Sequence, residues 1–140
     1  MKVLIYDPFS CSGCRTCEII CAIKHSKVSN PRYSRLRIAK GDSERIIITM
    51  RCQQCSDPLC IRICPVGALT KDEKTGVIKI NIERCIGCRW CIIFCPYGGA
   101  GLDITTGKPM FCDLCGGDPA CVKVCPRDAL HYVDIEEIHI

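Results

Sequence analysis

Aromatic residues are scarce in this chain of 140, with one Trp, four Tyr and three Phe. So few large rings exclude a core built mainly on aromatic packing. Long apolar runs are missing too. None approaches the roughly 20 residues that cross a bilayer, so no membrane span is expected. The opening residues, MKVLIYDPFSCSG, hold no apolar h-region, no small-residue cleavage site and no lipidation or twin-arginine signal. The expectation is therefore a reducing, cytoplasmic compartment. Lys and Arg are scattered rather than gathered into a stripe, which argues against a nucleic-acid partner. No nucleophile stands beside a base and no carboxylates pair for acid–base work, so no catalytic residue is expected.

What the chain has in excess is cysteine, 16 of 140 residues. In the stretch CIGCRWCIIFCP, Cys85, Cys88 and Cys91 follow one another at intervals of three, Cys95 comes four later, and Pro96 closes the run. This spacing resembles the bacterial ferredoxin arrangement for a [4Fe-4S] cluster, in which a two-residue gap lets three sulfurs wrap one corner of a cube. The fourth sulfur, carried on a helix, points to a neighbouring cluster. One such stretch therefore predicts a partner stretch.

Three more are present. Cys11, Cys14, Cys17 and Cys21 repeat the compact spacing in CSGCRTCEIICA, with Ala22 where proline is expected. That alanine lets the helix run on through Ile23, Lys24 and His25 until Asn30 and Pro31 stop it. Cys52, Cys55, Cys60 and Cys64 form a wider version containing Asp57 and Pro58, and Cys112, Cys115, Cys121 and Cys125 form another containing Asp118 and Pro119. All 16 cysteines fall into this compact, wide, compact, wide repeat with none left over. Zinc is the competing reading, and it makes the chain a cysteine-rich interaction module. Zinc ribbons, however, use two separated pairs or add histidine, and need neither a third cysteine nor a helix-borne fourth. The formal charge of +4 counts every thiol as neutral. Each oxidised cluster with four thiolates adds two negative charges, so four such sites turn +4 into −4.

Between the motifs, residues 2–6 (KVLIY) read as a strand and RLRIAKGDSERIIITMR as a hairpin turning at Lys40, Gly41, Asp42 and Ser43. ALTKDEKTGVIKINIE reads as a second hairpin turning near Lys74, Thr75 and Gly76. YGGAGLDITTGKPMF reads as an extended connection, and the tail HYVDIEEIHI as a closing strand. Trp90 is expected to shield sulfur from water, and His25, His131 and His139 to lie solvated outside the sites. Pro65, Pro96 and Pro126 fix the backbone after the helix-borne cysteine. Arg15, Arg62, Arg89 and Lys123 stand near the motifs, either beside the clusters or on exposed helix faces.

As a set, CRTCEIICA, CSDPLCIRICPVGAL, CIGCRWCIIFCPYG and CDLCGGDPACVKVCPRDAL resemble the four motifs, in order, of the electron-transfer subunits of molybdenum and tungsten oxidoreductases, the dimethyl sulfoxide reductase beta-subunit group. The likeness covers nearly the whole chain. It implies an α+β, tandem bacterial-ferredoxin-like fold, one unit over 1–140 with two interleaved halves, the motifs at 11–21 and 112–125 in one and those at 52–64 and 85–95 in the other. It further implies that Cys11, Cys14, Cys17 and Cys125 hold one cluster, and Cys21, Cys112, Cys115 and Cys121 the next. Cys52, Cys55, Cys60 and Cys95 then hold a third, and Cys64, Cys85, Cys88 and Cys91 the last. The run CSGCRTCEIICAIKHSKVSNPRYSRLRI looks most like the small subunits of tungsten aldehyde oxidoreductases. The expected function is a relay through four [4Fe-4S] clusters between a large catalytic redox subunit and a ferredoxin or similar carrier. A hydrogenase or formate dehydrogenase partner, or a role in maturing one, is the other reading.

Overall fold

The computed structural model describes residues 1–42 and 46–137. Among the described residues, eight short strands pair into four separate two-stranded antiparallel sheets, accompanied by four α-helices. β1 (Lys2–Tyr6) pairs with β8 (Leu130–Asp134), bringing the two ends of the described chain together in the register Lys2 to Asp134 through Tyr6 to Leu130. β2 (Arg37–Lys40) pairs with β3 (Ile47–Met50), and β4 (Leu69–Lys71) with β5 (Ile78–Ile80). The closing strand and both expected hairpins are thus present; Ser43 of the first turn and Ile138 to Ile140 of the tail lie outside the described residues.

The stretch after the third motif is not the plain extended connection expected. It folds into a fourth hairpin, β6 (Gly101–Leu102) with β7 (Pro109–Met110). Asp103 accepts from the Thr105 N–H at 2.9 Å, and Gly107, at φ 71°, donates to the Asp103 carbonyl at 2.8 Å. Asp72 and Gly76 close β4–β5 the same way, with Asp72 accepting from Lys74 at 2.9 Å and the Gly76 N–H reaching the Asp72 carbonyl at 2.7 Å. An aspartate whose carboxylate caps the turn, followed four residues on by a left-handed glycine, is what both turns need.

The helices are α1 (Thr16–Ser26), α2 (Leu59–Ile63), α3 (Trp90–Ile93) and α4 (Ala120–Val124). Each starts inside a cysteine motif. α1 packs on α4 and α2 on α3, so sequence-distant motifs meet in pairs. Two apolar clusters lie beneath them. One gathers Leu4, Leu36, Ile38, Ile47, Val77, Leu114 and Leu130 with Cys17 and Cys121; the other gathers Leu69, Ile78, Ala100 and Phe111 with Cys52 and Cys91. Cysteine is a structural member of both cores, and Cys112 packs against the two together. Such small cores bury little surface for a chain of this length.

Candidate metal centres

The four motifs share one backbone device at the loop, and three of them share a second at the closing cysteine. Within each Cys-x-x-Cys loop the residue before the second cysteine is left-handed: Gly13 at φ 71°, Gln54 at 46°, Gly87 at 72° and Leu114 at 54°. This curls the loop so that both sulfurs face the same side. Glycine adopts it freely in the compact motifs. In the wide motifs Gln54 and Leu114 bear the strain because burial holds them, Gln54 also donating to the Cys112 carbonyl at 3.2 Å.

The closing device depends on proline. α2 and α4 end at Cys64 and Cys125, whose extended backbones lead into Pro65 and Pro126. The chain turns back through left-handed Gly67, Gly98 or Asp128. The following amides, of Ala68, Gly99 and Ala129, each donate to the sulfur four residues earlier, to Cys64, Cys95 and Cys125, all at 3.3 Å. Amides aimed at sulfur favour the thiolate. At Cys64 burial raises the thiol, and the amides of Ala68, Val66, Leu69 and Gly67 outweigh it to bring it below its ordinary value. The prolines are therefore structural, as expected.

Cys21 lacks the proline, and α1 continues to Ser26 as the alanine predicts. Its sulfur accepts instead from the Arg35 N–H at 3.3 Å, and the His25 ring Nδ1 stands 3.7 Å away. His25 corrects the expectation of a solvated histidine: its side chain is only 12% exposed. Nδ1 lies 2.9 Å from the Cys21 carbonyl and Nε2 2.9 Å from Asp113 Oδ1. Both nitrogens face acceptors, so both donate, and the pairing with Asp113 chiefly, with Cys21 adding to it, raises the ring to about 10. Arg35 joins Asp113 from the other side at 3.3 Å. His131 is exposed as expected, and His139 lies outside the described residues.

The sulfurs converge in fours. One cavity is lined by Cys11, Cys14, Cys17 and Cys125, with Tyr6 and Ile38 on its wall (site I). Cys21, Cys112, Cys115 and Cys121 stand together at the meeting of α1 and α4 (site II); burial first, then the neighbouring Cys112, Cys115 and Cys21, pushes the Cys121 thiol up to about 12. A third cavity takes Cys52, Cys55, Cys60 and Cys95 with Phe111 and Tyr97 (site III), and a fourth Cys64, Cys85, Cys88 and Cys91 with Ile86 and Trp90 (site IV). Each group draws three sulfurs from one motif and one from another. Cys17 of site I and Cys121 of site II lie in one apolar cluster, and Cys60 of site III packs on the cluster that holds Cys91 of site IV. Burial also pushes Cys17 and Cys112 up to about 12, and Cys60 and Cys91 to about 11. Such thiols ionise when a metal takes the proton's place. Four soft sulfurs converging in each site, with amides and not carboxylates turned to the closing sulfur, fit an iron-sulfur cubane.

Trp90 lines site IV but stays 47% exposed, its ring edge-on to Phe94 with centroids 6.5 Å apart, so it covers the mouth of the cavity rather than filling a core. Of the cations near the motifs, Arg15 pairs with Glu18 at 3.4 Å, Arg62 with Asp57 at 3.4 Å and Lys123 with Asp118 at 2.7 Å, while Arg89 is exposed. Arg15 and Arg89 also line the cavities of sites I and IV, whereas Arg62 and Lys123 pair at the surface. The cation that sequence reasoning missed is Arg51, 3% exposed, its guanidinium bonded to the Cys52 carbonyl at 3.0 Å and to the Leu4 carbonyl. Burial draws its guanidinium down, and the charges of Cys112, Cys121 and Cys52, from sites II and III, work against that.

A 4Fe-4S dicluster domain model matches residues 44–135. The chain belongs to the 4Fe-4S dicluster domain family. Among curated members, this dicluster chain is 39% identical over 133 residues to the polyferredoxin-like subunit of an aliphatic sulfonate oxidoreductase from Pyrococcus furiosus, covering 93% of itself and 76% of that protein. It is 37% identical over 140 residues to the beta subunit of the NADH-dependent phenylglyoxylate dehydrogenase of Aromatoleum evansii; this covers 99% of the chain but only 31% of that relative. Electron transport protein HydN of Escherichia coli is 35% identical, with 95% and 88% covered. In structure it matches a chain of the active site complex BamBC of benzoyl coenzyme A reductase with a TM-score of 0.56 and 25% identity, over 95% of the chain and 79% of that one. The dicluster chain is thus an iron-sulfur electron-transfer subunit of the kind found in oxidoreductase complexes, not catalytic alone, and its sixteen cysteines fit four [4Fe-4S] clusters. Among the described residues no helix is long and apolar enough to cross a membrane.

Proposed function

We propose that sites I to IV each hold one [4Fe-4S] cluster, with the sixteen cysteines divided as grouped above, in two interleaved ferredoxin-like halves of a single unit. The bound clusters supply one-electron transfer. The observation that carries this reading is the three-plus-one convergence of cysteines from different motifs at every site. A structural zinc is satisfied by two Cys-x-x-Cys pairs and does not call for three sulfurs from one motif with the fourth from another.

The chain's own residues set the order and the environment. Cys17 and Cys121 in one apolar cluster, Cys60 and Cys91 in the other, and Cys112 packed against both support a line running I, II, III, IV. Along it Tyr6, Ile38, Phe111 and Trp90 line the cavities and exclude water, while the amides of Arg35, Ala68, Gly99 and Ala129 hold the closing sulfurs in place. A relay of this kind joins a larger catalytic subunit to an external carrier such as a ferredoxin. A tungsten or molybdenum oxidoreductase of the aldehyde-oxidising type, in the cytoplasm, is the partner favoured by the resemblance of the first cysteine run.

Anaerobic purification from the native source tests this. The dicluster chain is expected to copurify in equal amounts with a large tungsten- or molybdenum-containing subunit, and dithionite reduction to give an EPR spectrum of magnetically interacting clusters. Isolation without any redox partner, or a spectrum of one isolated cluster, contradicts the relay.

A further inference from the structure

The two compact motifs hold their loops in one backbone shape: Gly13 and Gly87 stand at φ 71° and 72°, and Arg15 and Arg89, the residues before α1 and α3, are both left-handed at φ 63° and 65°. The first helical residue thus takes equivalent places, Thr16 beside site I and Trp90 beside site IV. There the likeness ends. Thr16 Oγ1 stands 3.3 Å from Cys14 Sγ, whereas Trp90 sets an aromatic ring on the wall of its cavity. In the wide motifs the same place, two residues after the second cysteine, holds Asp57, paired with Arg62, and Gly117, which has no side chain.

A thiolate that binds metal keeps no proton, so in the pair with Cys14 the hydroxyl is the donor. The Gly13 N–H donates to Cys11 at 3.4 Å and the Ala129 N–H to Cys125 at 3.3 Å, so three of the four site I sulfurs accept a hydrogen bond. At site IV the Ala68 N–H donates to Cys64 at 3.3 Å, and no hydroxyl lines the cavity. Water separates the two ends in the same sense: of the sixteen cysteines Cys14 alone is exposed, while Ile86 and Trp90 cover site IV. Charge does not separate them. Arg15 and Arg127 line site I, but Glu18 lies 3.4 Å from Arg15 and offsets it, and Arg89 is the one charged side chain lining site IV.

We propose that Thr16, through its hydroxyl on Cys14, holds site I at the higher potential of the two ends, so that an electron crossing the relay falls from site IV toward site I. The inference deepens the four-cluster reading and rests on it. Reduction adds one electron to a site, and with it one negative charge shared onto the sulfurs; no bond is made or broken. A hydroxyl dipole aimed at sulfur and contact with water both favour that added charge. Trp90 supplies an apolar lid instead, so site IV is the harder end to reduce.

The experiment is an EPR-monitored titration of the full chain with dithionite and mediators, comparing wild type with Thr16→Val, Thr16→Ala, Thr16→Ser and Trp90→Thr, each checked for iron content. Thr16→Val and Thr16→Ala are expected to lower one and the same midpoint by a roughly three- to tenfold change in the reduced-to-oxidised ratio, about 28–59 mV for one electron. Thr16→Ser, which keeps the hydroxyl, leaves that midpoint in place. A merely steric role would show no such rescue. Trp90→Thr is expected to raise a different midpoint, one that in wild type lies below the first. Thr16→Ala decides the matter where the valine variant fails to load iron. If the valine and alanine variants leave every midpoint unmoved, if Trp90→Thr raises none, or if the two midpoints stand in the opposite order, the inference is overturned while the four-cluster reading stands. Wild type with far fewer than about 16 iron per chain overturns both.

Discussion

The backbone N–H of Gly99 donates to Cys95 Sγ at 3.3 Å, and it does so with the Arg51–Cys52 backbone pressed against its α-carbon. A methyl group there would lie 2.8 Å from the Arg51 carbonyl oxygen and 2.8 Å from Cys52 Cα. Backbone on that side cannot swing away as a side chain could. Gly99→Ala is therefore expected to cost about 1–3 kcal/mol through overpacking and to lengthen the bond to sulfur, lowering the site III midpoint. Thermal loss of visible absorbance and a redox titration check the two effects.

Restoring proline to the first motif should harm the protein rather than regularise it. Ala22 is fully buried in the interior of α1, and His25 reaches Asp113 only because the helix passes through that position. Ala22→Pro removes a helical donor and drives the ring into the preceding turn, at a cost of about 3 kcal/mol or more. Denaturant unfolding of the iron-loaded protein should show a clearly lower midpoint. A stability equal to wild type would mean that the continuation of α1 carries no weight.

Asp72 gives a pH signature remote from the cysteines. Lys79 at 2.7 Å, with the amides of Lys74 and Thr75, holds its carboxyl down at about 2 from an ordinary 3.8. A depressed carboxyl stabilises the fold above its unfolded value and loses that contribution as pH falls through the folded one. The stability advantage of wild type over Asp72→Asn should thus stay constant from neutral pH to about 4 and shrink only below 3.8. Paired thermal melts across that range measure it, and an advantage already declining near pH 6 would contradict the assignment.

Much of the candidate site was legible because its signals are local. Cysteine spacing, the prolines after Cys64, Cys95 and Cys125, and the alanine after Cys21 act on backbone within a few residues, and the structure follows them. The β6–β7 hairpin was missed although Asp103 and Gly107 repeat the spacing of Asp72 and Gly76; the strands are only two residues each, too short for an alternating pattern to show. Arg51 and His25 escaped for another reason. Nothing beside Arg51 in sequence marks it as buried, because Cys112 and Cys121 arrive from 60 and more residues away. His25 was read as surface because its partner, Asp113, belongs to the fourth motif.

The most direct measurement of the central claim is an anomalous difference map at the iron edge from crystals grown anaerobically. The account predicts four compact iron cubes, each enclosed by one of the four cysteine groups and each taking its fourth sulfur from a different motif. Single metal peaks within individual motifs, or sulfur–sulfur bonds between them, would contradict it.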